Sequence, residues 1–184
     1  IHMVVTSPPY WGLRIYGGGG GEIGLEPTPE LYVANIVEVF REVKRVLRDD
    51  GVMFLNLGDS YWSAPTPADL ADRQGGHPSR SVSDSLLELQ QRQISAGVLP
   101  SSFLKPKDLV GIPWRVAFAL QADGWWLRSD IIWNKPNPMP ESVTDRPTKA
   151  HEYLFLLAKS ARYFYDVEAI KEQAIHAGRM VKAT

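Results

Sequence analysis

Met3-Val4-Val5-Thr6-Ser7-Pro8-Pro9-Tyr10-Trp11 is the stretch that decides how this chain folds. Met3-Val4-Val5 is apolar, β-rich and too brief for a helix, so it predicts a buried strand. Neither Pro8 nor Pro9 has a backbone N–H, and each biases the residue before it toward an extended conformation. The carbonyls of Ser7 and Pro8 are thereby left as acceptors on a stiff corner with few local donors. Ser7 adds a side-chain oxygen and Tyr10 a flat ring. Acceptors beside an aromatic platform suit an exocyclic amino group on a planar base. Taken alone, Ser7-Pro8-Pro9-Tyr10 reads equally well as a strand closed by a turn.

Composition narrows the classes. The 184 residues suffice for one domain with a sizeable core. No apolar run approaches the ~20 residues of a membrane span, and none has the pattern of a secretory leader. The chain has no cysteine, which removes disulfides and thiolate zinc sites. It also excludes, for this stretch, methylation at cytosine C5, which needs a thiol nucleophile. A net charge of −1 argues against a protein that coats nucleic acid, so any DNA contact has to be local.

Downstream, Thr28-Pro29 is a helix start, with Thr as cap and Pro in the first turn. Tyr32, Ile36, Phe40, Val43 and Leu47 then share one face at helical spacing, and Asp50-Gly51 stops the helix. Val52-Met53-Phe54-Leu55-Asn56-Leu57 follows as a second buried strand. Strand, helix, strand at this spacing predicts a βαβ unit with parallel strands. Gly58-Asp59-Ser60-Tyr61 closes it, and ligands of open α/β sheets bind beyond such strand ends. Asp59 is a candidate for a cofactor or substrate group, with a turn aspartate as the rival reading. A second helix opens at Gly111-Ile112-Pro113-Trp114, runs to about Ala122 and leads into a strand over Trp126–Trp133, repeating the βαβ logic. Two apolar runs, Tyr153–Leu157 and Tyr163–Asp166, predict a closing antiparallel hairpin, followed by a helix from Val167.

Two segments break the pattern. Gly17–Gly21 lacks the spacing and the following helix of a phosphate loop and reads as a flexible cover over the Ser7 corner. Residues 63–104 are rich in Pro, Gly, Ser and Gln, with one short helix expected over Ser85–Ile94, and read as a flexible insertion facing DNA.

Ser7-Pro8-Pro9-Tyr10, within Val4–Arg14, resembles the signature of DNA methyltransferases that modify cytosine N4 or adenine N6: Ser, Asp or Asn, then Pro-Pro, then an aromatic. Trp133-Asn134-Lys135-Pro136-Asn137-Pro138-Met139-Pro140 is similar to that family's Trp-x-Lys-Pro-Asn-Pro-x-Pro run, and His151-Glu152 to its late motif. The order is that of bacterial and phage members whose catalytic motif precedes the cofactor motif. The resemblance implies an α/β, Rossmann-like S-adenosylmethionine-dependent methyltransferase sheet, parallel with a terminal antiparallel hairpin. It implies Ser7, Pro8, Pro9 and Tyr10 as catalytic, and Thr6, Ser7 and Asp59 beside S-adenosylmethionine. Trp11, Arg14, Lys135, Asn137, Lys149 and His151 would meet double-stranded DNA with a flipped target base, Lys135 at a phosphate and Asn137 at the base pocket. His151 is expected as a hydrogen-bonding group, with no metal.

The family's Asp-Pro-Phe-x-Gly-x-Gly cofactor loop has no counterpart here. Residues 1–184 are therefore expected to be the catalytic part of one domain, completed by a C-terminal cofactor-binding segment. Ile1–Thr6 reads as a strand already under way, and Ile1-His2-Met3 alternatively as a cloning remnant. Ser at position 7 favours cytosine N4 over adenine N6. The cytoplasm of a bacterial or phage-infected cell is the expected location, and a DNA-binding remnant without catalysis is the rival function.

Overall fold

The computed structural model describes residues 1–13, 22–62 and 103–171. Arg14, the glycine run, the expected helix over Ser85–Ile94 and nearly all of the 63–104 insertion lie outside them. In chain order the elements are β1 (Met3–Thr6), α1 (Pro29–Val46), β2 (Val52–Leu57), α2 (Ile112–Ala122), β3 (Trp126–Asn134) and β4 (His151–Ala158).

The helix α1 starts where the cap chemistry says it should. The Thr28 side chain accepts from the Leu31 N–H, Pro29 occupies the first turn, and Glu30 lies at the positive end of the helix dipole. Its apolar stripe, Tyr32, Val33, Ile36, Val37 and Phe40, packs into one core with Met53, Leu55 and Leu57 of β2, Phe155 and Leu157 of β4, and Val116 and Leu120 of α2. Each such fully buried side chain contributes about 1.5–3 kcal/mol.

The sheet order is β1-β2-β4-β3. Strands β1 and β2 pair in parallel, with Thr6 opposite Leu55. Strand β4 pairs antiparallel with β2 on one side and with β3 on the other. Hence β1, β2 and β3 all point the same way, and β4 is inserted between the last two.

Three sequence expectations need correcting. The antiparallel partner of β4 is not Tyr163–Asp166, which forms no strand; it is β3, together with β2. A polar turn between two apolar runs looks like a hairpin, but after β4 both flanks are already occupied, so Phe164 can only tie back to Asp50 by one backbone bond. The second βαβ unit keeps its direction without its adjacency, because β4 takes the place beside β2. Val167–Ile170 forms turns instead of a helix.

Among the described residues the two helices cover one face of the sheet. Alternation along β1 sends Val4 and Thr6 toward them and Met3 and Val5 away. Met3 is 54% and Val5 65% exposed. Among the described residues no helix is long and apolar enough to cross a membrane. Beyond β2, Trp62 and Lys107 clasp each other: Lys107 N–H donates to Trp62 O at 2.8 Å and Trp62 N–H to Asp108 O at 2.8 Å. A bridge between Tyr61 and Leu109 continues that seam.

Candidate active site

Because β1, β2 and β3 are co-directional and β4 opposes them, the ends of the first three and the start of the fourth meet at one edge. Ser7–Tyr10, Gly58–Asp59, Lys135 and Glu152 therefore converge, although the sequence spreads them over most of the chain.

The Ser7–Tyr10 corner is held from beneath. Tyr32, fully buried in α1, donates its hydroxyl to Pro9 O at 2.8 Å. Burial raises the Tyr32 phenol far above its ordinary value, with Glu26 and Tyr10 adding to the shift, so it remains a donor. Among the described residues none donates to the carbonyl of Ser7 or of Pro8. The corner thus has its last carbonyl anchored and its first two open.

Above it lies a polar cluster. Asn56 is a buried amide in an otherwise apolar strand, 7% exposed. Its Nδ2 donates to Tyr153 O at 3.1 Å, which turns Oδ1 toward the corner. There Oδ1 accepts from the Tyr10 hydroxyl at 2.7 Å and lies 3.3 Å from Ser7 Oγ. Ser7 Oγ also reaches the Tyr10 hydroxyl at 3.2 Å, which in turn meets Glu152 Oε2 at 3.2 Å. Lys135 Nζ closes the chain by an ion pair with Glu152 Oε1. The Ser7 proton is drawn inward by these acceptors, and its lone pairs remain for a donor outside.

Charge states follow from the surroundings. Burial raises the Tyr10 phenol; the Ser7 bond partly offsets this and the Glu152 charge adds to it. Burial works against the Glu152 charge, but Lys135, with Asn56 and Tyr10, outweighs it and holds the carboxyl below its usual range. Tyr10 is thus a neutral donor beside an ionised carboxylate.

The ring of Tyr10 lies directly on Gly58, where a Cβ would come 2.5 Å from Tyr10 Cε2. No side chain fits there, so the Cδ2–Cε2 side of the ring lies against the Gly58 backbone.

Asp59, a candidate for a cofactor or substrate group with a turn aspartate as rival, engages backbone donors through one oxygen. Its Oδ1 accepts from the N–H of Ser60, Gly111 and Ile112 at 2.9, 2.9 and 3.0 Å. Gly111, with φ of 78°, adopts the left-handed conformation that presents those donors, and Asp59 caps α2 from another strand's end.

Lys135, expected at a phosphate, faces Glu152. Asn137 is exposed on the loop beyond. Trp11, expected at DNA, donates its indole N–H to Glu26 O at 2.9 Å and stacks on Trp62, centroids 6.1 Å apart. Thr6 ends β1 directly before the corner. His151 sets its ring edge-on to Tyr153 at 5.3 Å, with no hydrogen bond among the described residues. Lys149 keeps a buried Nζ without a partner among the described residues. Burial lowers its pKa against the pull of Asp59, Glu152 and Glu141. No group of three His, Asp or Glu suited to a metal occurs among the described residues.

Asn56 and Tyr32 were not singled out from sequence, and Glu152 only as part of a weak motif. The one signal for Asn56 is an amide inside an apolar strand, where a buried polar group has to be satisfied. Tyr32 looks like any core aromatic.

A DNA methylase family model matches residues 1–180. The chain belongs to the DNA methylase family. Among its relatives, type II methyltransferase M.SmaI of Serratia marcescens is 54% identical over 171 residues, covering 93% of this chain and 53% of that protein. Type II methyltransferase M.Cfr9I of Citrobacter freundii is 49% identical over 180 residues, 97% of this chain and 54% of its own length. This methylase chain thus spans about half the length of the curated relatives it matches. Among solved structures, TTHA0409 of Thermus thermophilus, complexed with S-adenosyl-L-methionine, superposes with a TM-score of 0.51 at 19% identity, over 92% of this chain and 49% of that one. PvuII DNA methyltransferase (cytosine-N4-specific) gives 0.54 at 18% identity, over 92% and 46%. These two likenesses carry the fold: the methylase has a methyltransferase sheet.

Proposed function

We propose that this chain carries the catalytic centre of a site-specific DNA methyltransferase that moves a methyl group from S-adenosylmethionine to the exocyclic amino group of an extruded base, cytosine N4 in preference to adenine N6. The observation that carries the reading is the pair of open carbonyls, Ser7 and Pro8, beside a Tyr10 ring fixed by Asn56, Glu152 and Gly58.

The amino nitrogen of a base is a poor nucleophile because its lone pair is delocalised into the ring. Ser7 and the Pro8 carbonyl accept its N–H hydrogens and draw the nitrogen toward tetrahedral geometry, which frees the lone pair. Removing one preorganised contact of this kind costs about 10²–10³ in rate. The Tyr10 ring stacks on the base, which leaves the duplex at a cost of about a few kcal/mol. Holding both partners in line supplies the remaining acceleration. Trp11, Lys135, Asn137, Lys149 and His151 remain candidates for the DNA side, Lys135 only once it parts from Glu152.

S-adenosylmethionine supplies the electrophilic methyl when bound. The residues present fit its reacting end alone: Thr6 and Ser7 end a strand there. The Asp59 oxygen Oδ1 is engaged by α2, and no glycine cradle follows a described strand. In this reading, holding the nucleoside falls to a C-terminal cofactor-binding segment. The names of the curated relatives, type II methyltransferases, support a place in restriction and modification; the cytoplasm of a bacterial or phage-infected cell belongs to the same proposal.

The test uses full-length protein, S-adenosylmethionine and DNA, followed by mass spectrometry of the nucleosides. N4-methylcytosine is expected. N6-methyladenine alone overturns the base assignment. Cofactor and DNA binding without methylation overturns the enzyme in favour of a binding remnant.

A further inference from the structure

The loop after β3 is braced at both ends. At its start, Lys135 N–H donates to Ala150 O at 2.8 Å, and the Lys135 side chain is paired with Glu152. At its far side, Glu141 pairs with Arg146 at 2.5 Å, and the Arg146 guanidinium lies 3.9 Å from the centre of the Tyr61 ring. Tyr61 lies just past Gly58-Asp59-Ser60 at the end of β2, so the loop is tied at both ends to the edge where Ser7, Tyr10 and Glu152 converge. Between the braces Pro136, Pro138 and Pro140 fix the backbone in every second position. Met139 stands between the last two prolines and is 86% exposed, an apolar side chain held out in solvent on a stiff support. Trp133, opposite Glu152 in the strand register, is 55% exposed at the base of the same arch. Both are large apolar side chains exposed on the segment that borders the Ser7–Tyr10 edge.

We infer that Met139 is a wedge that enters the DNA duplex where the target nucleotide has left it, with Trp133 flanking the opening. An extruded base leaves a gap in the stack, and unbranched apolar side chains are suited to fill it. A loop whose backbone is already fixed adds little ordering cost when it enters. Met139 touches no reacting atom in this scheme; it holds the open duplex. The inference rests on the proposed methyl transfer to an extruded base.

The test compares Met139→Ala and Met139→Leu with wild type in the full-length protein. Two DNA substrates share the methylated site: a perfect duplex, and the single strand carrying the target base. On the duplex, Met139→Ala is expected to lower kcat/KM by about tenfold or more, Met139→Leu by much less. On the single strand, where no stack has to be held open, both variants match wild type. Wild-type activity of Met139→Ala on the duplex overturns the wedge, as does an equal loss on both substrates. A wild type that methylates neither substrate overturns the underlying reading, and the wedge with it.

Discussion

The ends of β1 and β2 lie side by side at the same edge of the sheet, and both carry an oxygen-rich residue, yet they do opposite things. After β1, two prolines remove the local donors, and Tyr32 anchors only the Pro9 carbonyl. The carbonyls of Ser7 and Pro8 accept from no donor among the described residues. After β2, Asp59 meets three backbone N–H groups, two of them from the start of α2. Whether an oxygen at a strand end is available to a ligand therefore depends on which donors the chain brings back to it, not on its position.

The strongest way to break the contrast is at the β1 corner. In full-length protein, Tyr10→Ala and Pro8→Ala should each lower the methyl-transfer rate by about 10³-fold or more while calorimetric binding of S-adenosylmethionine persists. Full activity of either variant would falsify the catalytic assignment.

The converse holds at β2. Asp59→Ala leaves the start of α2 without its cap and should destabilise the fold by about 2–4 kcal/mol in denaturant titrations. Cofactor affinity measured below the transition should not change. A stable variant that no longer binds cofactor would make Asp59 a ligand and abolish the distinction.

Gly58→Ala sharpens the comparison where the two ends touch. Its methyl group must displace the Tyr10 ring, so a loss of about 10–100-fold in kcat is expected without a comparable fall in melting temperature. Unchanged kcat would mean that the orientation of the ring is irrelevant.

The smallest effect concerns Glu152. Its folded-state pKa is held below the ordinary value, so its contribution to stability is complete above that ordinary value. It is lost as pH falls from there through the depressed one. Glu152→Gln should flatten that acidic part of the pH–stability curve, and melting curves across the range that overlay the wild type would remove the ion pair with Lys135 from the account.

Much of this was legible in the residues. Cap and periodicity placed α1 because Thr28-Pro29 and the Tyr32–Leu47 stripe act locally. The corner was legible because proline removes donors whatever surrounds it. Strand order was not, since Tyr153–Leu157 and Tyr163–Asp166 look alike as apolar runs and only the competition for places beside β2 and β3 separates them. The cluster above the corner was equally hidden. Asn56, Glu152 and Lys135 come together through sheet register, a long-range property that local pattern does not encode. The capping role of Asp59 was hidden for the same reason: Gly111 and Ile112 approach it only in three dimensions.

The clasp between Trp62 and Lys107 has a consequence for how such proteins diversify. A strip of chain sutured at its base makes its exit and return points indifferent to what it encloses. Doubling the enclosed length costs only about 0.6 kcal/mol in closure entropy. The seam therefore holds the two ends of the enclosed chain together whatever its length, so the edge that carries Ser7 and Tyr10 is insulated from changes in that length.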